Sequence, residues 1–167
     1  MWNDTDFPIA YLITVRTKGT WLHGDAGSVS RHKNIYGTAK LPLEPKWLVT
    51  NKGRLKVGPV ILDGPQRKAV REAIMDTCRH REWGLDALNV RTNHFHAVVL
   101  SGLDAPSKVL NALKANATRL LRERSLWHSQ SSPWVDKGSE RWLWTEQSVA
   151  SAVEYVLTAQ GPDLPEF

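Results

Sequence analysis

The stretch Asn93-His94-Phe95-His96-Ala97-Val98-Val99-Leu100 constrains this chain more than any other. Two imidazoles separated by one apolar residue and followed by four more apolar residues read as a buried β-strand. Side chains alternate along a strand, so His94 and His96 project together from one face while Phe95, Ala97 and Val99 leave from the other. Such a pair can give a divalent metal two adjacent ligands and leave other positions for carboxylate, amide, water or phosphate oxygen. The plain alternative is two partly exposed strand histidines bonded to their neighbours.

The elements around this strand follow from periodicity. Residues 9–15 form a first strand, apolar on both faces and therefore central, with Ile9, Tyr11, Ile13 and Val15 on one side. A Gly-, Pro- and Lys-rich connection occupies residues 26–65, a surface excursion with room for a short hairpin. Residues 66–81 follow Asp63-Gly64-Pro65 and carry Val70, Ile74 and Cys78 at four-residue spacing, the stripe of a packing helix. Residues 85–90 make a strand joined to the histidine strand by the short turn Arg91-Thr92-Asn93, so the two run antiparallel. Ser107 is placed to cap a helix reaching about residue 124, with Val109, Leu110, Leu113, Ala117, Leu120 and Leu121 inward. Residues 141–144 form a fourth strand, and residues 148–159 a last helix stopped by Gly161-Pro162. The order β-α-β-β-α-β plus one helix is that of an α+β, ferredoxin-like split β-α-β sandwich. It has an antiparallel sheet with two packing helices on one face and the other face free for a site.

A chain of 167 residues, 41% apolar and 23% charged, suits a single domain over 1–167. Cys78 is the sole cysteine, which excludes an internal disulfide and a multi-cysteine zinc site and makes the cytoplasm the natural compartment. No apolar run reaches membrane-spanning length, and Met1-Trp2-Asn3-Asp4 does not begin a signal peptide, so no membrane association is expected. The net charge of +5 is unevenly spread. Residues 31–56 hold seven basic side chains against Glu44, and residues 108–124 hold five against Glu123, whereas residues 136–167 are acidic. That asymmetry points to a polyanionic partner, with Lys52, Arg54, Lys114, Arg119 and Arg122 as candidate phosphate contacts. Eight tryptophans add indoles that could stack on unpaired bases, with Trp21, Trp47, Trp127 and Trp134 in loop-like stretches and Trp142 and Trp144 on one strand face, although most should be core.

Only three tyrosines exist, and Tyr155 alone lies on the late helix, in Glu154-Tyr155-Val156-Leu157. With Asn93-His94-Phe95-His96 and the order of elements, this chain resembles the single-tyrosine HUH transposases of the IS200-like and REP-associated type. The resemblance implies a metal-dependent endonuclease and strand transferase acting on single-stranded, hairpin-flanked DNA through a 5′-phosphotyrosine. His94 and His96 would bind Mg2+ or Mn2+ and Tyr155 would be the nucleophile. Relatives carry a glutamine or asparagine about four positions after the tyrosine; here Ala159 stands there and Gln160 follows, so Gln160 would be the third ligand only by turning back beyond the helix end. A silent DNA-binding module and a metal-dependent hydrolase without a covalent intermediate are the competing readings, and the sequence leaves a homodimer open.

Overall fold

Four strands carry the molecule: β1 (Ala10–Arg16), β2 (Gly84–Val90), β3 (His94–Leu100) and β4 (Ser139–Leu143). In this computed structural model, which describes residues 6–20 and 58–164, they form one sheet in the order β2-β3-β1-β4. Every pairing is antiparallel. Because β3 lies between β1 and β2, the chain must cross over from β1 to β2, and helix α1 (Gly64–His80) belongs to that crossover. Helices α2 (Pro106–Glu123) and α3 (Glu146–Thr158) complete the α+β fold, in the split β-α-β order expected of the sequence. Two compact units divide the chain: Met1–Arg16 with Leu62–Phe167, and Thr17–Ile61. Within the second, the Thr17 hydroxyl donates to the Val60 carbonyl at 2.7 Å and the Val60 N–H donates to the Lys18 carbonyl at 2.9 Å. The hairpin expected within residues 26–65 lies outside the described residues apart from 58–65.

The two sheet faces bury different things. Ile13, Val15, Phe95, Ala97 and Val99 are fully buried on the face toward α1 and α2, whose own buried stripes contain Val70, Ile74 and Cys78 and Val109, Leu113 and Leu121. On the opposite face Ala10, Leu12, Ala87, Val98 and Leu143 pack with Ala152 and Val156 of α3. β1 is thus covered on both sides, as its doubly apolar sequence requires. α3 covers the sheet's second face over Leu12, Ala87, Val98 and Leu143, and beside them the same face carries His96, which is buried, and His94, which is half-buried.

The helix ends shift the expected boundaries for identifiable reasons. The Asp63 carboxylate accepts the Gln66 N–H and the Gln66 side chain accepts the Asp63 N–H, a capping box that starts α1 at Gly64 rather than residue 66. Ser107 does not cap α2: the N-cap is Ala105, and Pro106, with φ already preset, takes the first turn. α3 begins at Glu146 rather than at Ser148, because Thr145 is the N-cap and Ser148 closes its capping box.

One irregularity in β2 bears on the site. Leu85 faces Val99, but Ala87 faces Val98, so Asp86 is an extra residue. This bulge moves the rest of β2 by one position and brings Asn89, not Leu88, beside His96.

Candidate functional site

His94 and His96 emerge from the same face of β3, with ring centroids 4.7 Å apart and planes at 70°. Each has its inner nitrogen occupied. His96 Nδ1 lies 2.7 Å from the hydroxyl of Thr14, its register partner on β1. His94 Nδ1 lies 2.6 Å from Asn93 Oδ1, to which it donates as the N–H tautomer. These bonds fix both rings through Nδ1, which is how metal-binding imidazoles are usually oriented, with Nε2 the remaining ring nitrogen of each.

Gln160 approaches from beyond α3. The helix ends at Thr158 with Ala159 as its C-cap, and Gly161 at φ +88° reverses the chain. Freed from helical geometry, the Gln160 side chain folds back: its Nε2 donates to the Tyr155 carbonyl at 3.2 Å, which aims Oε1 at His94 Nε2, 3.3 Å away. With His94 protonated at Nδ1, its Nε2 and Gln160 Oε1 each present a lone pair. The donor set of two imidazoles and an amide oxygen therefore fits a divalent metal. No group of three or more His, Cys, Asp or Glu among the described residues could hold one.

Burial lowers the pKa of both histidines. His96 is brought down to about 4 by burial, by the neighbouring His94 and by Arg16, with Gln160 opposing. His94 is lowered by burial first, then by Arg16 and Arg91, against the raising effect of Gln160. Both rings are consequently neutral at pH 7, the form that ligates a metal.

Tyr155 completes the cluster. Val156 and Ala152, four residues apart, point α3 into the sheet, and Tyr155, about 100° around the helix from Val156, reaches the rim. Its ring lies 5.4 Å from that of His96, at 67°, and the residue is 46% exposed. The end of α3 is anchored from β2 and the turn after it: Asn89 Nδ2 donates to the Val156 carbonyl at 3.0 Å, and Arg91 donates to the Pro162 carbonyl at 2.9 Å. Thr14, Asn89 and Arg91 were not picked out in the sequence. A polar residue ending the apolar stripe Ala10-Leu12-Thr14 was the one available signal, and only strand register gives it a partner.

The structure brings Tyr155, His94, His96 and Gln160 together but leaves the candidate phosphate contacts of α2 elsewhere. Lys114 donates to the Val135 and Asp136 carbonyls, Arg122 donates to those of Ser129 and Gln130, and Arg119 pairs with Glu123 at 3.7 Å. Lys114 and Arg122 thus hold the loop after α2 and Arg119 pairs within the helix, all on the other side of the sheet from Tyr155. Lys52 and Arg54 lie outside the described residues, as do Trp21 and Trp47. Trp134 is core, 1% exposed and edge-on to Phe95 at 5.3 Å, whereas Trp142 is half exposed on the edge strand. No helix among the described residues is long and apolar enough to cross a membrane.

The model of the family "Transposase IS200 like" matches residues 50–158, and the chain belongs to this family. The match covers α1, β2, β3, α2, β4 and α3 whole. Among solved structures, a candidate transposase from Deinococcus radiodurans R1 is similar at 13% identity and a TM-score of 0.52, over 93% of this chain and 94% of that one. A REP-associated tyrosine transposase bound to a REP hairpin is similar at 15% identity and a TM-score of 0.48, over 93% of this chain and 70% of that one. A search of the curated proteins found no match.

Proposed function

We propose that this transposase-family protein is a single-strand DNA endonuclease and strand transferase that works through a covalent 5′-phosphotyrosine at Tyr155, on DNA flanked by a hairpin. The observation that carries the reading is the meeting of Tyr155 with His96, His94 and Gln160 at the end of α3. His94, His96 and Gln160 would hold Mg2+ or Mn2+, which when bound polarises a non-bridging phosphate oxygen and offsets charge in the transition state.

The chain's own groups do the rest. Tyr155 Oη attacks the scissile phosphorus; the P–Oη bond forms as the P–O3′ bond breaks, the phenol proton passes to solvent and the departing 3′ oxygen takes one up. Asn89 and Gln160, by bonding the last carbonyls of α3, keep the phenol over the histidines instead of letting the helix end fray. Because phenolate is a tolerable leaving group, a second DNA 3′-hydroxyl can attack the phosphotyrosine, restoring a phosphodiester and freeing Tyr155.

Incubation of the purified protein with labelled hairpin DNA bearing a single-stranded flank, and Mg2+ or Mn2+, should give an adduct that survives denaturation and maps to Tyr155. Cleavage to a free 5′-phosphate with no adduct would make the protein a hydrolytic nuclease, and binding without cleavage would make it a silent module.

A further inference from the structure

The turn between β2 and β3 and the turn after α3 meet at one side chain, that of Arg91. Its backbone N–H donates to the His94 carbonyl at 2.8 Å, which ties it to the start of the strand that carries both histidines. Its half-buried side chain reaches the other way, where Nη1 donates to the Pro162 carbonyl at 2.9 Å. A Cβ built on Gly161 would lie 3.6 Å from Nη2, so the guanidinium rests against the left-handed residue that follows Gln160. Gln160 Oε1 is in turn 3.3 Å from His94 Nε2. The contacts close a circuit, from His94 to Arg91 by main chain, from Arg91 to Pro162 by side chain, and through Gly161 and Gln160 back to His94.

Gln160 stands past the end of α3, so helical geometry does not set its side chain. The bond from its Nε2 to the Tyr155 carbonyl, at 3.2 Å, is at the long limit for such bonds, and that carbonyl already accepts the Ala159 N–H at 3.1 Å. An amide held by one long, shared bond can swing its oxygen away from His94 unless the backbone behind it is fixed. A guanidinium on a carbonyl is well suited to fix it, since charge-assisted hydrogen bonds are roughly twice as strong as neutral ones.

We infer that Arg91 is a positioning residue for the amide ligand: by holding Pro162 it keeps Gln160 Oε1 beside His94 Nε2, where the two can share one cation. The inference rests on the reading of His94, His96 and Gln160 as ligands of a divalent metal. The sign of the effect separates this role from that of the charge itself. Burial first, then the charges of Arg16 and Arg91, lower the pKa of His94, and the repulsion that disfavours an imidazolium there also disfavours a divalent cation. Charge alone therefore makes loss of Arg91 tighten metal binding, whereas loss of a positioning bond weakens it.

The test is calorimetric titration of Mn2+ into the metal-free full-length protein, without DNA. Arg91→Met should weaken binding about tenfold, within the range seen when an outer partner of a metal ligand is lost, and no more than Gln160→Ala does. Arg91→Gln, which keeps a polar side chain at the turn, should behave alike and carries the test if the Met variant does not melt cooperatively. In a Gln160→Ala background the same substitutions should leave affinity unchanged or raise it, because the amide they position is gone and only repulsion remains. Unchanged or tighter Mn2+ binding on loss of Arg91 alone would overturn the inference. An equal loss with and without Gln160 would overturn it too, since the damage would then be general. Either result beside a weakened Gln160→Ala leaves the two imidazoles and the amide as the ligands. Parental affinity in Gln160→Ala would instead remove the amide from the ligand set and the inference with it.

Discussion

The phenol ring of Tyr155 and the imidazole of His96 stand 5.4 Å apart, centroid to centroid, although the two residues lie on different elements that meet only through the second face of the sheet. Val156, fully buried beside Tyr155, sets that distance by locking α3 onto Val98 and Leu12. Chemistry at one end and packing at the other are therefore consecutive residues of one helix.

Tyr155→Phe removes a hydroxyl from a half-exposed ring. Thermal stability should change by no more than about 0.5 kcal/mol, and hairpin DNA should bind as before, while adduct and cleavage disappear together. A variant that still forms adduct, mapped by peptide mass to another tyrosine, would displace the site.

Thr14→Val keeps a β-branched residue in a central strand but takes away the partner of His96 Nδ1. Loss of such an orienting bond typically costs about 10–100-fold in metal affinity. Titration calorimetry with Mn2+ should show a loss of that order with the melting temperature nearly unchanged. Equal affinity in parent and variant would mean that the hydroxyl does not orient the ring.

The metal-free protein should lose stability as pH falls from about 6.5 toward about 4. In that window an unfolded His96, with an ordinary pKa near ~6.5, binds a proton that the folded residue, at about 4, does not. The unfolded state then holds more protons, so the contribution is complete above pH ~6.5 and lost on acidification. His94, lowered in the same direction, adds to it. Melting temperatures in EDTA should converge between parent and His96→Gln at low pH; a constant difference from pH 7.5 to 4.5 would refute the assignment.

Gly138→Ala should destabilise the protein. An added Cβ would stand 2.6 Å from Leu110 Cδ1 and 2.8 Å from the Thr14 carbonyl oxygen. Relief requires moving β1 backbone, at a cost of about 1–3 kcal/mol, and any shift of Thr14 is passed to His96. Chemical denaturation should show the loss and calorimetry a weaker Mn2+ site. An unperturbed midpoint would show that α2 can yield instead.

Much of this molecule was legible in one dimension. Alternation in Ala10–Arg16 and His94–Leu100 dictates two strands buried on both faces, four-residue spacing of Val70, Ile74 and Cys78 dictates a packed helix, and the parity of a strand puts His94 and His96 on one side. These are local consequences of backbone geometry and need no partner. The candidate roles of His94, His96 and Tyr155 came from motif and order. What the tertiary structure alone decided is which side chains support them. Strand register pairs Thr14 with His96, the Asp86 bulge substitutes Asn89 for Leu88 at its other side, and the left-handed Gly161 lets Gln160 double back to His94 from outside the helix. The basic stretch of α2 shows the same limit from the other direction, since charge counts along the chain do not say that Lys114 and Arg122 are turned to the carbonyls of their own loop. Periodicity is a property of a few adjacent residues, whereas register, bulges and chain reversals depend on which distant segments pair, and that is settled by packing of the whole sheet.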